Sequence, residues 1–123
     1  MIVAGFGFRK GANAESLQNA YARARDTATA DRFATLTHKA NTPEFKHFAR
    51  QQDAEVVLAT RDDLGTQATI TQSDASQGAY GTGSVAEAAA LWAAGPGARL
   101  LGPRVVSEDR MATCALAIGD SSS

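Results

Sequence analysis

The sequence predicts an α/β fold: one three-layer α/β/α domain with a mainly parallel mixed sheet and a C-terminal antiparallel hairpin. Three observations carry this. Strand-like and helix-like segments alternate from the N-terminus to Gly65, the pattern of crossover units that lay parallel strands side by side. Two apolar stretches near the C-terminus are separated only by Ser107-Glu108-Asp109-Arg110, a hairpin spacing. The chain has 123 residues and is 44% hydrophobic, which suits one domain with one core. The domain is expected over residues 1–119, and the polar end "DSSS", residues 120–123, as a disordered tail.

"IVAGFGF" (Ile2 to Phe8) reads as a buried strand broken by two glycines. Asn13 then caps a helix, with Glu15 at the positive end of the helix dipole. Leu17, Ala20, Tyr21 and Ala24 fall at helical spacing on one face. A second strand is expected around Phe33–Lys39. In the helix after it, Thr42 is the cap, Pro43 takes the first position, and Phe45, Phe48 and Ala49 are buried. "EVVLAT" (Glu55 to Thr60) is the third strand, and Thr60, Asp62 and Asp63 start a short helical turn ending at Gly65.

Residues Thr66–Tyr80 are polar and without periodicity, so they predict an irregular loop with one short strand at most. From Ser84 to Ala94 a helix is expected. Ser84 and Glu87 form the S-x-x-E capping box, and Val85, Ala88, Ala89 and Trp92 are its packed stripe. Gly95-Pro96-Gly97 ends it. The two hairpin strands lie near Arg99–Val106 and Met111–Ile118, with Gly102-Pro103 bending the first.

Composition removes several functions. The net charge of −1 is unsuited to a dedicated nucleic-acid binder. No apolar run approaches a membrane span. The N-terminus lacks the basic region of a signal peptide, so a cytoplasmic protein is expected. Cys114 is the only cysteine and lies in the apolar run "CALAI", where a buried role fits. His38 and His47 lack partner ligands at metal spacing, so no metal site and no cofactor are expected. His47 falls on the exposed side of its helix.

Chemistry is then sought beyond the carboxyl ends of the strands, where open α/β sheets bind ligands. "GFGFRKG" leaves the first strand and "THKANT" the second. Gly5, Gly7 and Gly11 do not make a dinucleotide fingerprint, because Lys10 stands where the third glycine belongs. There is no P-loop and no G-x-S-x-G elbow. Arg9, Lys10 and Lys39, with N–H donors at the helix start Gly81-Thr82-Gly83-Ser84, would suit carboxylates or phosphates. Ordinary solvation of those cations is the other reading, and the residues alone leave both open. Ser84 and Glu87 already have roles as a cap, although Glu87 and Lys39 are the candidates for any acid–base work.

Three stretches resemble a known family. "GFGFRKGANAESL", "TLTHKANTPEF" and above all "GTGSVAEAAALWAAG" are similar, in order and spacing, to motifs of the CobE / CbiG C-terminal family of cobalamin biosynthesis. The resemblance covers nearly the whole chain and is to the stand-alone form. It implies a role in the aerobic route to the corrin ring, with a precorrin or other corrinoid as ligand. Such compounds carry many acetate and propionate groups. Binding through those carboxylates is the leading expectation, at Gly5, Gly7, Arg9, Lys10, Gly11, Lys39, Gly81, Thr82, Gly83 and Ser84.

A lactone hydrolase of the cobalt-precorrin-5A type, using Glu87 or Lys39, is the first alternative. A non-catalytic module that docks on a precorrin methyltransferase or another enzyme of the pathway is the second. The chain departs from the family pattern at Phe8, where a cysteine is common, and at Thr37, Asn41 and Thr42, where acids are common. Those losses weigh toward binding and against hydrolysis.

Overall fold

The computed structural model describes residues 1–26, 28–73, 78 and 82–119. Six strands form one sheet: β1 (Ile2–Phe8), β2 (Arg32–Leu36), β3 (Glu55–Ala59), β4 (Arg99–Leu100), β5 (Val105–Val106) and β6 (Ala112–Ile118). Their order is β3-β2-β1-β6-β4, with β5 also paired to β6. β1, β2 and β3 are mutually parallel, whereas β6 runs antiparallel to β1, β4 and β5. The helices are α1 (Ala14–Ala24), α2 (Thr37–Ala40), α3 (Pro43–Gln51), α4 (Arg61–Gly65) and α5 (Val85–Ala94). The expected three-layer architecture and the hairpin are both present. The chain's two described ends meet, since Gly119 N–H donates to the Met1 carbonyl at 2.9 Å.

Side-chain alternation along β1 divides the molecule into two unlike halves. Ala4, Phe6 and Phe8 face α1 and α3, where all five phenylalanines and Tyr21 gather in one core. Phe6 is central, edge-on to Phe33 at 4.9 Å and to Phe48 at 5.3 Å, while Phe33 and Phe48 stack at 5.2 Å. These are the preferred offset and edge-to-face geometries of aromatic rings. The other face carries Val3, Gly5 and Gly7, and α5 lies against it. A Cβ on Gly5 would stand 2.0 Å from the Ala86 carbonyl oxygen and 2.6 Å from the Ala90 amide nitrogen. The strand therefore touches the helix backbone to backbone, and only glycine allows that approach. One face is thick with aromatic rings; the other is thin and built from alanine.

Asn13 and Thr60 cap their helices as expected, each with a reciprocal bond from the third helical residue (Ser16 and Asp63). Other expectations need correction. The second strand stops at Leu36, and Thr37, His38 and Lys39 belong to α2. Thr42 stands at the N-cap position of α3 without capping it; its hydroxyl donates to the Lys39 carbonyl at 2.7 Å instead. Helix α5 has no single packed stripe: every residue from Val85 to Leu91 is buried. It lies between the sheet, α4 and residues 69–73, so a circumference apolar except for Glu87 suits it.

The strand expected near Arg99–Val106 is two short pieces, β4 and β5, parted around Gly102 and Pro103. Residues 66–73 contain no strand, and the remainder of that expected loop, apart from Gly78, lies outside the described residues, as does the tail 120–123. Cys114 is buried in the aromatic half, and burial pushes its thiol well above the ordinary cysteine value. Among the described residues no helix is long and apolar enough to cross a membrane.

Candidate functional site at the carboxyl end of the sheet

The first two predicted segments meet at one end of the sheet. Strand β1 ends at Phe8, and the Arg9 amide donates to the Met111 carbonyl at 2.9 Å, which ties the following loop to the start of β6. That loop turns tightly: Ala12 N–H donates to the Arg9 carbonyl at 3.0 Å, and Gly11 adopts φ +97°. Both Arg9 and Lys10 project into solvent. Because α2 begins directly after β2, Lys39 swings back over the end of β1. Its ammonium donates to the Phe8 carbonyl at 2.5 Å and stands 4.8 Å from the centroid of the Phe8 ring. A cation over a ring face is held by the ring's quadrupole.

The start of α5 lies at the same end. A Cβ on Gly7 would be 3.4 Å from Val85 Cβ and 3.6 Å from the Ala86 amide nitrogen, so the strand end and the helix start are neighbours. Ser84 caps the helix, its hydroxyl accepting from the Glu87 amide at 3.2 Å. Gly83 fits beneath residues 69–72, where a Cβ would collide with the Thr71 carbonyl oxygen at 2.4 Å. Its carbonyl accepts from Ser73 N–H at 2.8 Å. Thr82 is 4% exposed, yet among the described residues its hydroxyl has no hydrogen-bond partner, and an unsatisfied buried hydroxyl costs about 1–3 kcal/mol. Gly81 lies outside the described residues.

The expected capping box is only half made. Glu87 does not reach back to Ser84. Its carboxylate is fully buried and accepts four hydrogen bonds from elsewhere among the described residues. Oε1 takes the amides of Ile70 at 2.7 Å and Thr71 at 2.8 Å. Oε2 takes the Thr71 hydroxyl at 2.5 Å and the Arg104 amide at 2.9 Å. A buried carboxylate persists when its lone pairs are filled in this way. Glu87 therefore fastens the 70–71 loop and the β4–β5 connection to α5, and its oxygens face donors of the protein itself. The sequence carried one sign of this, a lone acid inside the otherwise apolar run Val85–Leu91. Its partners, distant in the chain and mostly backbone, carried none.

A second polar cluster joins α1 to the hairpin. Asp109 accepts from the hydroxyls of Ser107 and Ser16, each at 2.5 Å, and from the Met111 amide at 3.0 Å. Ser107, then Ser16, then Met111 hold its carboxyl below the ordinary aspartate value. The Asp109 cluster joins the first turn of α1 to the turn before β6, at the end of the sheet where the Arg9 amide bonds to Met111. His47 is exposed, as expected. Among the described residues no group of three His, Cys, Asp or Glu side chains could hold a metal ion.

A family model described as cobalamin synthesis G C-terminus matches residues 2–117. No curated protein sequence matches the chain. Among solved structures, CobE, a protein of the cobalamin (vitamin B12) biosynthetic pathway, superimposes with a TM-score of 0.85 at 29% identity, covering 95% of this chain and 89% of that one. The cobalamin biosynthesis protein chiG of Agrobacterium tumefaciens gives a TM-score of 0.77 at 34% identity, over 98% of this chain and 100% of that one. A cobalamin biosynthesis protein G homolog of Sulfolobus solfataricus shares the fold at 18% identity with a TM-score of 0.71, and this chain spans 37% of it.

Proposed function

The chain belongs to the cobalamin synthesis G C-terminus family, and from that premise we propose that it binds a precorrin or related corrinoid through the ligand's carboxylates. The carboxyl end of the sheet is the site. The observation that carries this reading is the position of Lys39, whose ammonium is fixed on the Phe8 carbonyl beside exposed Arg9 and Lys10. Three cations at one strand end suit a ligand bearing several carboxylates. The Thr82 hydroxyl, without a partner among the described residues, adds a polar group near the start of α5 that a ligand or a water can satisfy. Gly5, Gly7 and Gly83 serve the site indirectly in this reading, by letting α5 and the 69–73 segment approach. Binding is preferred to hydrolysis because Glu87, the candidate acid–base group, is fully buried with both oxygens engaged.

Titration with hydrogenobyrinic acid, followed by its absorbance, tests the reading. Binding is expected, and Lys39→Met combined with Arg9→Gln should weaken it about tenfold or more, the loss expected for charge-assisted hydrogen bonds. Absence of any spectral change with folded wild-type protein at about a hundred micromolar, weaker than ordinary ligand affinities, would sink it.

A further inference from the structure

We propose that the groove between α3 and the edge strand β3 holds the apolar body of an amphipathic polycarboxylate; this rests on the reading above and extends its site. The groove has a volume of about 330 Å³. Its floor is Phe45 and Ala49 from α3 with Val56 and Leu58 from β3, and its rim carries Lys46 and Arg50. Strand β3 has β2 on one side and, among the described residues, no partner on the other. Leu58 is 49% exposed, one of the few large apolar side chains so placed among the described residues. Alternation along β3 puts Val56 and Leu58 on the same face as α3.

The rim supplies the chemistry. Lys46 and Arg50 are four residues apart on one helix and so stand side by side along the groove. Both are exposed, and among the described residues neither is in an ion pair. An apolar floor flanked by two unneutralised cations complements a flat apolar body with carboxylates at its edge. A neutral apolar ligand would leave the cations unused, and an inorganic anion would leave Leu58 uncovered. The groove also continues into the site already described. Ala40 and Asn41 line its end, directly after Lys39 in the chain. One ligand can therefore rest its body on Leu58 and Val56, reach Lys46 and Arg50 at one edge, and present further carboxylates to Lys39.

Titration of ¹⁵N-labelled protein with hydrogenobyrinic acid, followed by amide chemical shifts, is the test. The proposal expects shifts at Phe45–Arg50 and Val56–Leu58 together with those at Arg9–Gly11. Lys46→Gln with Arg50→Gln, and separately Leu58→Ser, should each weaken binding about tenfold while leaving the unperturbed spectrum dispersed; all three positions are exposed, so the fold survives. Shifts confined to Arg9–Gly11 and Lys39, with the groove variants binding as wild type does, overturn the groove and keep the functional reading. No shifts anywhere overturn both. Sedimentation showing a dimer that Leu58→Ser dissolves, without change in ligand affinity, assigns the groove to a second copy and also overturns the proposal.

Discussion

Replacing Glu87 by glutamine keeps its shape and removes its charge, and the hydrogen bonds around it determine the cost. The amide oxygen can replace only one carboxylate oxygen. In the better orientation it replaces Oε1 and keeps the Ile70 and Thr71 amides. The new NH₂ group then faces the Thr71 hydroxyl and the Arg104 amide. The hydroxyl can rotate to accept, but the Arg104 N–H cannot, and two donors confront each other. Losing a bond to a charged acceptor costs about 1.5–3 kcal/mol, and the retained bonds weaken because their acceptor is now neutral. Together these losses amount to about 2–4 kcal/mol. For a domain of this size that corresponds to a fall in Tm of roughly 10 °C. Thermal unfolding followed by circular dichroism measures it, with hydrogenobyrinic acid titration of the folded variant alongside. A Tm within about 2 °C of wild type, less than 1 kcal/mol on that scale, would refute the anchoring role. Intact stability with lost turnover on a precorrin would return Glu87 to acid–base chemistry.

Two further outcomes are expected. Gly5→Ala places a Cβ 2.0 Å from the Ala86 carbonyl oxygen, and the backbone must move; the expected loss is about 1–3 kcal/mol or more, read as a lower urea midpoint. Gly102→Ala is its control, since nothing lies within 4 Å of a Cβ there. Asp109 gives a pH dependence. Its folded carboxyl titrates below 3.8, held down first by Ser107, then by Ser16 and Met111. A group with a lowered folded value contributes stability above its unfolded value, and that contribution is lost as pH falls through the folded one. Wild type should therefore exceed Asp109→Asn in urea midpoint near neutrality, and the two should converge as pH falls below 3.8. A constant gap at every pH would contradict it.

The sequence showed most of the fold because the deciding signals are local. Asn13 and Thr60 mark helix starts through bonds made within a few residues, and Pro43 through its fixed φ at the first helical position. Leu17, Ala20 and Tyr21, and likewise Phe45 and Phe48, declare their buried faces by periodicity. What escaped was set by tertiary contact. Thr37 and His38 suit a strand, but β2 ends level with β3, at the Leu36–Ala59 pair, and the chain turns there into α2. Glycines that resemble a ligand cradle are explained, at Gly5 and Gly83, by the backbone pressed against them. The site is legible in the same proportion. The strand-end cations were visible as charges on loops, whereas the fixing of Lys39 by Phe8 depends on a crossing between residues 31 apart in the chain. The α3–β3 groove needed the sheet order, because nothing local marks β3 as an edge.

The meeting of Met1 and Gly119 has a bearing on how this domain can be combined with others. Both described ends leave the sheet at the amino end of β1. Lys39 and Arg9 lie at its other end, seven residues on, or roughly 20 Å along an extended strand. Polypeptide continuing from either described end would therefore leave from the end of the sheet opposite the cations. A fusion partner, a purification tag or a neighbouring domain could be attached there without crowding the strand ends, and the same architecture can serve alone or as one segment of a longer chain.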